Sequence, residues 1–172
     1  MQSIRNAQGH ALSWQQQQPH PRAYELRSGE TVFATLRWLQ AFGSLAQADT
    51  TEGQWTFKRV GFWRPRVTVR ILGASSDLMH FEPTRVGSGA IHLPEGRQLR
   101  WSTTGGDQTQ WAWHAPTGQP LLRFSVPEGA ASSGQVRIEP DAFALPDLSL
   151  LTPLGWYLTI LLTDDSTAAG AT

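Results

Sequence analysis

The chemistry in this chain concentrates in Lys58-Arg-Val-Gly-Phe-Trp-Arg-Pro-Arg-Val-Thr-Val-Arg70. Five cations, Lys58, Arg59, Arg64, Arg66 and Arg70, follow one another there with no acid between Glu52 and Asp77. Gly61 signals a turn, so the segment reads as a hairpin whose tip carries Phe62 and Trp63 between guanidinium groups. Guanidinium matches the planar fork of a phosphate or carboxylate, and aromatic rings beside basic residues suit the headgroup level of an anionic bilayer. The candidate ligand-binding residues are therefore Lys58, Arg59, Phe62, Trp63, Arg64, Arg66 and Arg70. The competing reading makes these cations the solvated face of two strands and the aromatic pair a plug for one end of the fold.

A second constellation is aromatic. The chain has eight Trp; Trp111 and Trp113 alternate onto one face of a strand, with Trp101 on a neighbour, and such a platform can stack sugars or nucleobases. The same residues also serve as bulky filling for a wide core.

Catalytic and metal signatures are weak. His80 and Glu82 share a strand face, but no HExxH or paired-His spacing accompanies them or His10, His20, His92 and His114. Gly87-Ser-Gly89 is not a GxSxG elbow, and Ser132 and Ser133 fall in an expected loop. No phosphate-cradling Gly-rich motif opens a helix, and the adjacent Asp164 and Asp165 read as the solvated start of a polar tail. The expectation is a protein without enzymatic activity, cofactor or metal.

These residues must be positioned by a fold of 172 residues, enough for one domain with a sizeable core. Fourteen basic and fourteen acidic side chains cancel, which argues against a nucleic-acid binder, and the absence of cysteine excludes disulfides and thiolate metal sites. The N-terminal MQSIRNAQGHALSW has no apolar signal-peptide core, so the expected location is the cytoplasm, with peripheral contact at a membrane. Any protein partner is unspecified.

Short β-branched and aromatic segments recur between turn signals. They predict strands at 11–14, 23–27, 31–38, 44–50, 54–60, 67–72, 79–82, 90–93, 98–103, 109–114, 121–126 and 135–139. Connections such as Ser28-Gly29, Glu52-Gly53, Glu95-Gly96, Gly105-Gly106-Asp107, Thr117-Gly118 and Glu128-Gly129 have hairpin chemistry, implying an antiparallel meander. Residues 1–22 are expected to form an N-terminal strand or arm, with Gln15–Gln18, Pro19 and Pro21 as its joint to the barrel of residues 23–163; residues 164–172 are expected to be disordered.

One segment does not fit a strand. Leu148–Leu162, after Pro146 and Asp147, reads as a helix with Asp147 or Ser149 as N-cap and Pro153 near its first turn. Its apolar residues surround the axis, sparing only a stripe of Thr152, Thr159 and Thr163, so it requires burial all round. At roughly 22 Å it falls short of a membrane span, the other environment that would satisfy it, and it matches the length of the strands. The predicted fold is mainly β, a closed antiparallel barrel of about twelve strands around this helix.

In that architecture, and in Tyr24-Glu-Leu-Arg27, Ala34-Thr-Leu-Arg-Trp38, Gly53-Gln-Trp-Thr-Phe-Lys-Arg59 and Leu150-Leu-Thr-Pro-Leu-Gly-Trp-Tyr-Leu158, the chain resembles the tubby C-terminal-like superfamily. That group includes the LURP-one-related proteins and the phospholipid scramblases. The resemblance spans about Ala23 to Leu162 and implies a binding or membrane-associated scaffold; no family binding residue is carried onto this chain. The expected function is binding of an anionic phospholipid or phosphorylated ligand at the basic aromatic hairpin. The alternative is an intracellular carbohydrate- or small-ligand-binding barrel that uses the Trp face, with the helix as a cap.

Overall fold

A computed structural model of the chain describes residues 1–85, 87–105, 109–128 and 131–170. These form β1 (Leu12–Pro19), β2 (Arg22–Ser28), β3 (Thr31–Trp38), β4 (Ala46–Thr50), β5 (Gly53–Val60), β6 (Arg66–Ile71), β7 (Met79–Arg85), β8 (Ser88–His92), β9 (Gln98–Thr103), β10 (Gln110–His114), β11 (Pro120–Ser125), β12 (Ser133–Ile138) and the helix α1 (Leu148–Gly170). Each strand pairs antiparallel with its sequence neighbours, and β1 pairs with β12 to close the barrel. The expected turns at Gly105-Gly106-Asp107 and Glu128-Gly129 lie partly outside the described residues, as do Ala171 and Thr172.

Alternation puts one face of each strand inside. Trp14, Leu26, Leu36, Phe57, Val69, Phe81, Ile91, Trp101, Trp113, Leu122, Phe124 and Val136 all point to the core, and every one is buried. A ring of this many strands is too wide for wall side chains alone to fill. Helix α1 supplies the remaining volume, buried all round from Leu148 to Leu161.

Wall and helix interlock through glycines. A Cβ at Gly134 on β12 would meet Trp156 of α1, and a Cβ at Gly155 of α1 would meet the Phe124 ring on β11. Each glycine thus makes room for an aromatic ring from the opposite surface. The helix leans against β3, β4, β5, β10 and β11, and β4 faces it with the small buried Ala46 and Ala48.

The threonine stripe needs no partner on the wall. Thr152 donates to Leu148 O and Thr159 to Gly155 O, both at 2.8 Å, so each buried hydroxyl bonds to the carbonyl one turn back. Trp113 Nε1 donates to Leu151 O at 3.0 Å and ties the β10 wall directly to the helix backbone.

Three local expectations are corrected. The Gln run is not a joint: β1 continues through it to Pro19, pairing Gln16 with Tyr24 and Gln18 with Ala23 across a bulge, because ladder hydrogen bonds use only the backbone. The polar tail is helical through Gly170, with residues 165–170 exposed. Finally, Ser149 lies within the first helical turn and is not the N-cap; Asp147 takes that position, its carbonyl accepting from Leu150 N and Leu151 N while its carboxylate pairs with Arg97 at 2.6 Å. Pro153 falls in the second turn.

Opposite ends of the barrel differ. Where α1 begins, Arg5 donates to the carbonyls of Phe143, Leu145 and Pro146 and pairs with Glu52, fastening the N-terminal turn Ile4–Ala7 beneath the helix. Where α1 emerges, Asp164 pairs with Arg22 beside the β1–β2 turn and Asp165 with Arg59 beside the β5–β6 turn. No helix among the described residues is long and apolar enough to cross a membrane.

Candidate functional site

The end from which α1 emerges carries the large exposed aromatics. Phe62 and Trp63, at the tip between β5 and β6, are 87% and 90% exposed. Their rings meet edge to face at 5.2 Å. The neighbouring turn, between β3 and β4, holds Phe42, also 90% exposed, and the partly exposed Leu39. That turn is anchored at Ser44, whose hydroxyl exchanges hydrogen bonds with the Arg59 backbone and whose carbonyl accepts from Tyr157 OH at 2.6 Å. Aromatic tips therefore project from a rigid base.

The sequence-predicted site residues divide into three groups. Phe62, Trp63 and Arg64 lie at the exposed tip. Lys58, Arg66 and Arg70 point outward from β5 and β6, on the face opposite Phe57, Val67 and Val69, as the pairing of Lys58 with Thr68 and of Val60 with Arg66 requires. Arg70 is removed from the tip by the length of β6 and pairs with Asp77 at 2.6 Å. Its hydrogen bond, which outweighs slight desolvation, holds the Asp77 carboxyl below the usual carboxylate range, and Arg66 and His80 add to the effect.

Arg59 is different, since it shares the inward register of Phe57 at the barrel mouth. Its guanidinium makes a two-pronged contact with Asp165, at 3.1 and 2.9 Å. Arg22 does the same with Asp164 at 2.6 and 3.0 Å and lies 5.9 Å from the Trp38 ring. The adjacent aspartates, read from sequence as a solvated tail, thus tie the emerging helix to β2 and β5 at the mouth.

Beside that mouth is a cavity of about 810 Å³, and sequence reasoning missed it. Its deep wall is built from the buried Val67, Phe81, Trp101, Trp111, Leu158 and Leu161. Its outer end is bordered by Arg59, Pro65, Asp165 and Ser166. The cause is the off-centre helix: α1 leans toward β3–β5 and β10–β11, leaving space against β6–β9. Only relative positions across the barrel create that space, so the chain carries no local signal of it.

Of the two readings of the Trp constellation, the structure has the core-filling one. Trp101, Trp111 and Trp113 are all buried and pack as part of the wall, Trp101 against Trp113 at 4.9 Å and against Phe124 at 5.6 Å. They present no outer stacking platform, and the helix fills the barrel where the alternative reading made it a cap. His80 bonds to Asp77 at 2.8 Å, and among the described residues no group of three or more His, Asp or Glu converges in a metal-binding arrangement.

Compared with family models, curated proteins and solved structures, the chain matches none of them.

Proposed function

We propose that this chain is a non-enzymatic, tubby-like barrel that docks peripherally on anionic phospholipid, or on a ligand presenting the same phosphate chemistry, through the rim from which α1 emerges. The supporting observation is the near-complete exposure of Phe62, Trp63 and Phe42 on neighbouring turns beside the exposed Arg64, Arg66 and Lys58. Large aromatic side chains left in water forgo roughly 1.5–3 kcal/mol each of burial, and a cluster of them at one end suits an interface with an apolar layer. The cations next to them add attraction to a negative surface, about 1 kcal/mol each close to it.

Co-sedimentation with neutral and anionic vesicles at low and high salt tests the reading. Binding to anionic vesicles that weakens with salt supports it, as does its loss in Arg64→Glu/Arg66→Glu and in Phe62→Ala/Trp63→Ala. Direct calorimetric binding of inorganic phosphate without vesicle binding would assign the site to a soluble phosphorylated ligand. Absence of binding to either would remove the proposal. Arg59 is left intact in these variants, because its reversal would set a carboxylate against Asp165.

A further inference from the structure

The cavity has the layout of a site for an amphiphile. Its deep wall is aromatic and aliphatic, its outer end carries a cation, and it opens beside the aromatic turns. At about 810 Å³ it falls within the roughly 300–1,000 Å³ of pockets that hold one small ligand.

We propose that this cavity takes the apolar chain of a single-chain anionic amphiphile of the fatty-acid type, whose head group replaces the Asp165 carboxylate on Arg59. The inference deepens the proposed function and rests on it in one respect: the aromatic rim brings the mouth to a surface where such molecules are found. Val67, Phe81, Trp101, Trp111, Leu158 and Leu161 enclose the chain. Arg59 meets the head group because, unlike Arg22, it lines the cavity, with its guanidinium already presented as a fork to a carboxylate. The Asp165 side chain is more than half exposed, and exposed pairs of this kind contribute little to stability. An incoming carboxylate therefore exchanges with it at small cost, whereas an uncharged head group would leave Asp165 in place.

Calorimetric titration of the full chain with laurate, below its micelle concentration, tests this. The expected result is one laurate per chain, weakened about tenfold in Arg59→Gln and strengthened in Asp165→Asn, which releases Arg59 from its internal competitor. Opposite signs in these variants distinguish a ligand contact from a merely structural ion pair, whose removal from either side would act in one direction. Thr103→Phe, on the cavity wall and in the inward register of Trp101, is expected to abolish binding while near-ultraviolet circular dichroism stays native; Leu162→Trp serves the same purpose if that variant fails to fold. No laurate binding by the wild type, equal affinity for dodecanol and laurate, a shift of the same sign in both charge variants, or unchanged binding in both filled-cavity variants would each overturn the inference. Vesicle binding without laurate binding overturns the cavity and leaves the rim. Laurate binding by a wild-type chain that does not sediment with vesicles supports the cavity and removes the rim.

Discussion

Tyr24 and Tyr157 are the two tyrosines of the chain, and burial pushes both phenols upward, Tyr24 to about 12 and Tyr157 further still. Each donates its hydroxyl proton to a carbonyl, Tyr24 to Ala131 O and Tyr157 to Ser44 O. A raised folded-state value means the un-ionised form is favoured by folding, so this stability is complete below the unfolded value of about 10 and is lost as pH rises through the folded value. Alkaline titration of the native protein is therefore expected to show no phenolate absorbance at about pH 10–11, with the whole signal released on denaturation; a half-ionised spectrum at about pH 10 would contradict the packing of both rings. Glu52 responds at the other limit. Desolvation opposes its charge, but the hydrogen bonds from Ser3 and Ser149 and the Arg5 guanidinium outweigh it and lower its pKa. Its contribution is present above the unfolded value and lost as pH falls through the folded one. Glu52→Gln is expected to flatten the decline of melting temperature between about pH 5 and pH 3, by no more than the ~1 kcal/mol of a part-exposed pair. At the rim, Phe62→Ala/Trp63→Ala is expected to change stability by less than about 0.5 kcal/mol by denaturant titration, since both rings are already in water.

At the scale of elements, the contact between α1 and the wall depends on what is missing as much as on what is present. Gly155 lies mid-helix, where alanine is ordinarily preferred by about 1 kcal/mol. Here the added methyl would press into the Phe124 ring. Gly155→Ala is expected to destabilise by about 1–3 kcal/mol in denaturant titration, with partial recovery in Gly155→Ala/Phe124→Leu. A stabilised single variant would mean that helix and β11 are not in this register. Thr159→Val, by contrast, removes a hydroxyl that bonds only to its own helix and is expected to stay within about 1 kcal/mol of the wild type. The helix was legible in sequence because its residues are apolar on every side. Its end was not: Asp164 and Asp165 look like a solvated tail until Arg22 and Arg59 are placed opposite them by strands far away in the chain.

For the whole molecule, the barrel and its helix form one cooperative unit. Removing residues 148–172 would empty the core and is expected to yield a protease-sensitive chain without native circular dichroism. Truncation after Thr163 removes the exposed turns and two part-exposed ion pairs, each worth about 0–1 kcal/mol. It is expected to lower the melting temperature by no more than about 8 °C. Twelve strands, antiparallel order and a buried helix were all readable in the linear chain, since alternation, turn residues and an all-round apolar segment are local patterns that burial and backbone hydrogen bonding translate directly into elements. The exposed tip at Phe62 and Trp63 was readable for the same reason, being a turn flanked by strands. Which cations share a site was not local: Lys58, Arg66 and Arg70 follow the outer face of the sheet, Arg59 turns inward to a helix more than one hundred residues later, and Arg70, at the far end of β6, pairs with Asp77. The inward placement of Trp101 was readable as core filling, but the cavity beside it was decided by tertiary structure alone, because it depends on where a helix comes to rest inside a closed wall and no stretch of sequence encodes that distance.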